Sequence, residues 1–181
     1  MADEKKEKWM NYMAITTVLI AVCATFSTFK GGGYGTQSLM NQTLASDKWS
    51  QDQAKSIKSY IFEMQRDNLG VQKEMLSKSG TSKEIVEIYQ SKIDDYNKSI
   101  AKYKQDKDDI SAEANGYLAK VKECKLHSSA FGIAVIFLQI SILLSSISTL
   151  AKKRYIYWLS LIVGVVGVFY FLDGFWLFYS V

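Results

Sequence analysis

The feature that most constrains the fold of this chain is a heptad repeat between Ser82 and Cys124. Apolar residues and tyrosines recur there at alternating spacings of three and four residues for six heptads. Such a repeat keeps one side of a helix facing a partner helix, so it predicts a coiled coil with these residues at its seam. The a positions are Val86, Ile93, Ile100, Lys107, Ala114 and Val121, and the d positions are Tyr89, Tyr96, Tyr103, Ile110, Tyr117 and Cys124.

Tyrosine at four of the d positions distinguishes this seam from a dry leucine core. A tyrosine ring can be buried while its hydroxyl stays near water or a polar partner. Lys107 at an a position either specifies the register or oligomeric state, or extends its ammonium group to water. Two helices alone bury only a narrow stripe of such a seam. The pattern therefore also predicts further helices around it, as in a homo-oligomer.

The segment before the repeat can supply a second helix. The whole chain lacks proline, which favours long uninterrupted helices. The segments Thr36–Ser77 and Ser82–His127 have similar helical lengths, roughly 63 and 69 Å at 1.5 Å per residue. With a tip at residues 78–81, they predict an antiparallel helical hairpin that occupies residues 30–127.

Three apolar stretches are long enough to cross a bilayer as helices. They cover residues 9–29, 128–151 and 155–181, with a charged tail at 1–8 and a basic turn at 152–154. A cleaved signal peptide is the alternative for the first stretch, which however runs on without a small-residue cleavage site. The predicted fold class is an all-α membrane protein with three transmembrane helices and a coiled-coil hairpin between the first and second.

Helix continuity is expected on one side of the hairpin and not on the other. The heptad phase continues into the second apolar stretch, so one helix is predicted from about Ser82 to about Leu150. Before the hairpin, four glycines within five residues predict a hinge, because glycine favours flexible or tightly turned backbone. They lack the Gly-Lys-Ser/Thr sequence and the preceding strand of a phosphate-binding loop. The hinge residues are Gly31, Gly32, Gly33 and Gly35.

The short basic segments predict the orientation. The lysines of the tail and the run Lys152–Arg154 fall on the same side of a membrane that is crossed three times. The positive-inside rule places that side in the cytoplasm. The N-terminus is then cytoplasmic, and the hairpin is periplasmic or extracellular. Basic residues within the hairpin argue weakly for the opposite orientation, since long segments cross largely regardless of charge.

Several polar or small residues in the second and third apolar stretches predict close helix packing or, alternatively, a pore. Asp173 is the most notable, because a charged side chain in an apolar stretch is costly in lipid. It either reaches the membrane interface, where water hydrates it, or lines a pore, binds an ion or contacts another helix. The candidate residues are Gln139, Ser141, Ser145, Thr149, Gly164, Gly167 and Asp173.

The chain offers little for catalysis or metal binding. It has no nucleophile motif, one histidine (His127) and two cysteines (Cys23 and Cys124) that form no CxxC pair. A disulfide between them is conceivable only if Cys124 lies near the membrane plane. The net charge of +4 is spread along the chain without a basic face. We therefore expect no enzyme, cofactor, metal site, nucleic-acid partner or small-molecule substrate.

Three short motifs carry a resemblance to a known family: Lys30–Tyr34 (KGGGY), Ala45–Trp49 (ASDKW) and Gln53–Ser56 (QAKS). With the order of one span, a helical middle and two closely spaced spans, the chain resembles an uncharacterised bacterial membrane-protein family, domain of unknown function 4337. The resemblance covers most of the chain and implies a location in the bacterial inner membrane. It implies no activity and no catalytic residues.

Two functional hypotheses follow. The first is a membrane scaffold or assembly component whose coiled-coil hairpin associates with itself or docks a protein partner. The second is a homo-oligomeric channel, suggested by the polar first half of the hairpin and the polar residues within the spans. In both cases the lipid bilayer is a partner. The direction in which Asp173 and the serine face point discriminates between them.

Overall fold

The computed structural model describes residues 2–80 and 82–178, with side chains described from Trp9 onward. This part of the chain contains three helices and no strand: α1 (Ala2–Lys78), α2 (Lys83–Ala151) and α3 (Arg154–Trp176). The predicted all-α class is confirmed. Each helix contains an 18-residue window that is apolar enough to cross a membrane.

Helix α2 runs without interruption from Lys83 to Ala151, so the predicted continuity from about Ser82 to about Leu150 is confirmed. It contains Gly116 and Gly132, and a Cβ atom at either position would meet nothing within 4 Å. One interior glycine lowers helix stability by only about 1 kcal/mol, which the surrounding good helix formers tolerate.

The predicted hinge at Gly31, Gly32, Gly33 and Gly35 is wrong, because α1 is helical from Ala2 through Lys78. The absence of proline leaves the helical hydrogen bonds intact through this stretch. A Cβ on Gly31 would lie 3.0 Å from the Cβ of Phe131 in α2, and one on Gly35 would lie 3.6 Å from the Ser128 hydroxyl. Of these two glycines, Gly31 allows a close approach of the helices, whereas a Cβ at Gly35 would make an ordinary van der Waals contact.

The turns between the helices are short and use left-handed backbone. Gly80 follows α1 with φ of 74°, a conformation that glycine adopts without strain. Lys152 has φ of 54° between α2 and α3. Leu177 is the left-handed C-cap of α3 and donates its N–H to the Asp173 carbonyl at 2.7 Å. Helix α3 thus ends at Trp176, before the predicted end of the third span, and residues 179–181 lie outside the described residues.

The chain divides into two compact units. The three-helix unit comprises Met1–Met40 and Lys120–Val181, and it holds the N-terminal part of α1, the C-terminal part of α2 and all of α3. The two-helix unit comprises Asn41–Ala119, with the remaining parts of α1 and α2. The two units differ in what joins their helices.

Candidate functional site

In the three-helix unit, glycines of α3 allow α2 to pack closely against it. A Cβ on Gly174 would lie 2.8 Å from the Phe131 ring, and one on Gly167 would lie 2.8 Å from Leu138. A Cβ on Gly164 would lie 2.8 Å from the Ser141 hydroxyl. These distances are shorter than van der Waals contact, so a larger residue at any of the three positions would push the helices apart. Gly164 and Gly167 thus lie where α3 packs against neighbouring helices.

Hydroxyl groups bond across the helices of this unit. Ser141 donates to the Ser160 carbonyl at 2.7 Å, and Ser160 donates to the Ser141 carbonyl at 2.8 Å, so α2 and α3 exchange two hydrogen bonds. The hydroxyls of Thr17 in α1 and Ser145 in α2 are 2.6 Å apart. Ser128 donates to the Gly31 carbonyl at 3.0 Å. The serine face is thus occupied by contacts within one protomer.

Phe131 is the centre of an aromatic cluster at one end of this unit. It is fully buried and packs edge-to-face against Phe171 and Phe175 of α3. The ring of Tyr34 in α1 stacks on His127, with centroids 4.5 Å apart. His127 donates from Nδ1 to the Gly174 carbonyl at 2.8 Å, since a carbonyl oxygen can only accept. The single histidine therefore joins α2 to the end of α3.

The remaining polar residues of the spans do not gather at one place. Asp173 is buried, with 2% of its surface exposed, which contradicts the interpretation that water hydrates it. Gln139 is exposed on α2. Thr149 is also exposed and donates to the Ser145 carbonyl within its own helix. The positions that could have lined one wet path are thus divided between the interior and the outside of the unit.

In the two-helix unit, the predicted seam of α2 is the side that is covered. Ile100 and Ala114 are buried, and the other predicted a and d residues between Val86 and Tyr117 are half-buried, Lys107 among them. Contacts to α1 run in antiparallel order, because later residues of α1 meet earlier residues of α2. Cross-helix pairs are Lys48–Glu113, Lys55–Asp106, Glu63–Lys104 and Lys73–Gln90. Val121 and Cys124, the last seam positions, are buried in the three-helix unit.

The side of α1 that meets this seam was missed from the sequence. Its residues also alternate at spacings of four and three, but most of them are polar, so a search for apolar periodicity passes over them. The complementary spacing was a usable signal, because Lys48 and Lys55 are seven residues apart, as are Asp106 and Glu113. The covered residues, here called the inner seam, are Asn41, Ala45, Lys48, Asp52, Lys55, Ser59, Phe62, Arg66, Leu69, Lys73 and Leu76.

The inner seam explains the tyrosines at d. Phe62 packs against both Tyr96 and Tyr103, with ring centroids 5.6 Å apart in each pair. The Lys55 ammonium lies 5.3 Å from the centroid of the Tyr103 ring while donating to Asp106 at 2.6 Å. A ring that is apolar on its faces and polar at its tip suits a helix whose opposing side chains are lysines and phenylalanine.

In two of the cross-helix ion pairs, the pKa of one member is shifted: Asp106 in one and Lys48 in the other. The hydrogen bond from Lys55 holds the pKa of the Asp106 carboxyl below its usual value of 3.8, against a smaller opposing effect of desolvation. The hydrogen bond to Glu113 raises the pKa of Lys48 above 10.5. Both groups are therefore charged throughout the physiological range, and the seam is held as ion pairs.

Metal and disulfide chemistry find no support in the described residues. Cys23 and Cys124 are both free. Among the described side chains, residues 9–80 and 82–178, no group of three or more histidine, cysteine or acidic side chains could hold a metal ion.

A family model matches most of the chain. The family described as Domain of unknown function (DUF4337) matches residues 9–177. No curated protein and no solved structure matches the chain.

Proposed function

The chain belongs to the DUF4337 family, whose description supplies no activity, and from its own contacts we propose that it is a non-enzymatic membrane scaffold or assembly component. The three-helix unit anchors the protein in a lipid bilayer, and the two-helix unit associates with further helices outside it. In this proposal the N-terminus is cytoplasmic and the two-helix unit is periplasmic or extracellular, because the short basic segments are the N-terminal tail and the run Lys152–Arg154. The bacterial inner membrane is the location that the family resemblance implies.

Membrane anchoring is supported by how the three-helix unit packs. Glycine-mediated approach and inter-helix hydroxyl bonds are the contacts that join helices in lipid, where apolar side chains gain nothing by leaving their surroundings. The outward side chains are correspondingly large and apolar. Examples are Leu19, Phe26, Leu143, Ile162 and Phe169, each at least half exposed.

The observation that carries the association proposal is the exposed apolar surface of the two-helix unit. Ile57, Tyr60 and Met64 on α1 are each 60% or more exposed, and Ile88 on α2 is 53% exposed. Scattered apolar residues are ordinary on a protein surface, but a row along one helix indicates a place where another molecule packs. Outside the bilayer, no lipid would cover these side chains.

Cross-linking in native membranes tests the proposal. Short lysine-reactive reagents applied to membranes that contain the full chain should give a discrete ladder of oligomers or a defined complex with a protein partner. The lysines of the two-helix unit, including Lys58 and Lys102, supply reactive exposed sites. A protein that stays strictly monomeric, with no captured partner at any reagent length, would contradict the proposal.

A homo-oligomeric channel is the second candidate, and exposed Gln139 is the observation that favours it. This amide lies within the apolar part of α2 and could face a shared pore in an oligomer. Against it, Ser141 and Ser145 are committed to contacts inside one protomer. Conductance of the purified protein in planar bilayers, lost on Gln139→Leu and kept on Ser146→Ala, would establish the channel. Silence under several ions and voltages would reject it.

A further inference from the structure

In the two-helix unit, α1 has opposite character on its two sides. The inner seam against α2 is mostly polar and is held by ion pairs. The opposite side is apolar and exposed. A helix normally places its apolar side against its neighbour. Here the polar side of α1 contacts α2 instead. The apolar side of α1 is therefore available to contact another molecule.

The exposed side is itself a heptad seam. Its members alternate at spacings of three and four over three heptads, with Ile61, Asn68 and Met75 at a and Ile57, Met64 and Val71 at d. The five apolar members from Ile57 onward are each between 43% and 67% exposed. A two-sided 4-3 pattern on one helix allows it to pack against two different helices at once. We call this set the outer seam: Ala54, Ile57, Ile61, Met64, Asn68, Val71 and Met75.

We propose that the outer seam pairs with the outer seam of a second copy of this chain, parallel and in register. This inference rests on the proposed function and names its partner. Asn68 is the residue that favours a parallel, in-register pair of identical chains. A single asparagine at an a position of an apolar seam specifies register, because its amide is satisfied by the matching amide of an identical helix. In an antiparallel pair, a positions meet d positions, and Asn68 would face Met64 or Val71.

The charges beside the outer seam agree with a parallel pair. Asp67 and Glu74 occupy the g positions. In a parallel coiled coil, g positions meet e positions of the partner, which are Gln72 and Ser79 here. In an antiparallel coiled coil, g meets g, so Asp67 would face an acid of the second copy. Asp67 already pairs with Arg66, and Glu74 with Lys78, on the same helix. Their like charges therefore disfavour the antiparallel orientation only in part, and Asn68 decides it.

The hydrogen bonding of Asn68 leaves room for a partner amide. Gln72 donates from Nε2 to the Asn68 Oδ1 at 3.0 Å, along the same helix. A carboxamide oxygen has a second lone pair, and its nitrogen has two donors. The bond to Gln72 therefore orients the amide while the pairing of two Asn68 side chains remains available.

The length of the outer seam fits a second copy. From Ile57 to Met75 it extends about 27 Å along the helix at 1.5 Å per residue. A second identical helix in register covers it from end to end, and its own exposed apolar residues are covered in turn.

Disulfide trapping tests the inference on the full chain in membranes. The background carries Cys23→Ser and Cys124→Ala, so that each variant holds one cysteine. Met64→Cys and Ile61→Cys should form disulfide-linked dimers under mild oxidation. Ala101→Cys, an exposed position on α2 of the same unit, is the matched control. We expect at least tenfold more dimer from the seam positions than from the control.

Orientation is tested by mixing two single-cysteine chains in one membrane. Ile57→Cys and Met75→Cys lie at the two ends of the outer seam. In a parallel pair each cross-links to its own kind, and the mixed product is scarce. Abundant Ile57–Met75 product would overturn the parallel arrangement. Equal trapping at Met64 and Ala101 would overturn the outer seam as the contact.

A disruptive variant separates this inference from the proposed function. Ile61→Lys combined with Met64→Lys changes only exposed residues, so the helical circular dichroism should be unchanged while the dimer yield of a Val71→Cys reporter falls at least tenfold. Oligomers that persist under lysine-reactive reagents, with trapping absent at every outer-seam cysteine, would reject the inference and leave the scaffold proposal standing. Absence of any oligomer or complex from the chain with an intact outer seam would contradict both proposals.

Discussion

The two units of this protein join their helices by opposite means. In the three-helix unit, the contact residues have small side chains or none. Gly164, Gly167 and Gly174 let α3 approach its neighbours closely, and serine hydroxyls form hydrogen bonds between α2 and α3. In the two-helix unit, side chains are long: lysines reach across to acids and over tyrosine rings. In an apolar environment there is no hydrophobic driving force between helices, so helices associate through close packing and dispersion. Ion pairs between flexible side chains are compatible with water.

The difference predicts which changes each unit tolerates. The three-helix unit should be sensitive to added atoms and insensitive to salt. The two-helix unit should tolerate changes in side-chain size and respond to pH and ionic strength. Four measurements, taken in order of decreasing effect, test this contrast.

The largest effect is expected from Gly174→Leu. Its Cβ would lie 2.8 Å from the Phe131 ring, which cannot move because Phe171 and Phe175 pack against it. Overpacking of this kind typically destabilises by about 1–3 kcal/mol, with larger losses for a long side chain. Unfolding by SDS titration of the purified protein gives the free energy. The control is Gly132→Ala, where the added Cβ meets nothing and should leave stability unchanged or raised by about 1 kcal/mol.

Phe62→Ala should have the next largest effect, now in the two-helix unit. It removes the ring that packs on Tyr96 and Tyr103. A buried phenylalanine is worth about 3–5 kcal/mol, and this one is half-buried, so a loss of about 2 kcal/mol is expected. Amide hydrogen exchange of residues 90–110 should speed up accordingly. Ile88→Ala, at an exposed position, should change exchange little, and an equal change for both would show that the ring contact is not specific.

Ser141→Ala should cost less. The variant removes the hydroxyl that bonds to the Ser160 carbonyl and leaves a small void. Inter-helix hydrogen bonds in membranes average about 0.6 kcal/mol in double-mutant cycles. The same SDS titration measures it, and Ser146→Ala, whose hydroxyl bonds only within its own helix, is the comparison. A loss above about 2 kcal/mol would indicate a larger structural role than packing predicts.

The pH dependence should be the smallest effect and confined to the two-helix unit. The lowered pKa of Asp106 means that its pairing stabilises the fold above pH 3.8 and is lost as the pH falls through the folded-state value. The raised pKa of Lys48 means that its contribution is present below pH 10.5 and is lost as the pH rises through its own folded-state value. The contributions of Asp106 and Lys48 to stability should be constant between these limits.

Asp106→Asn should remove part of the acid-limb dependence, and Asp108→Asn, an exposed neighbour on the same helix, should not. Melting followed by circular dichroism at several pH values measures both. Added salt should weaken the wild-type acid limb, since partly exposed pairs are screened. A salt-independent profile would show that the two ion pairs do not hold the seam.

The helices could be predicted from the sequence where a single physical rule determines their extent. Absence of proline and the heptad phase gave α2 almost to its ends, from Lys83 to Ala151. The glycine run predicts a flexible hinge, but the role of Gly31 is to leave room for Phe131 of α2. The difference is tertiary: a close approach between helices is invisible in the local sequence of either one.

The inner seam could not be predicted from apolar periodicity for a related reason. Periodicity methods count hydrophobic residues, and the inner seam is built mainly from lysine, serine and other polar side chains whose partners lie on another helix. The burial of Asp173 was likewise not predictable from α3 alone, because burial depends on the helices that pack around it. Family membership, in contrast, followed from short local motifs that need no partner to be recognised.

The antiparallel order of contacts in the two-helix unit also bears on how quickly it can form. Lys73 and Gln90 are 17 residues apart in the chain, while Lys55 and Asp106 are 51 apart. If a distant pair such as Lys55 and Asp106 formed first, it would close a long loop, and the entropy cost of loop closure rises with loop length. Contacts formed in sequence from the turn at Ser79 and Gly80 avoid it, because each pair shortens the loop left for the next. Despite its length, this unit should therefore fold as a zipper, with a rate set by the turn.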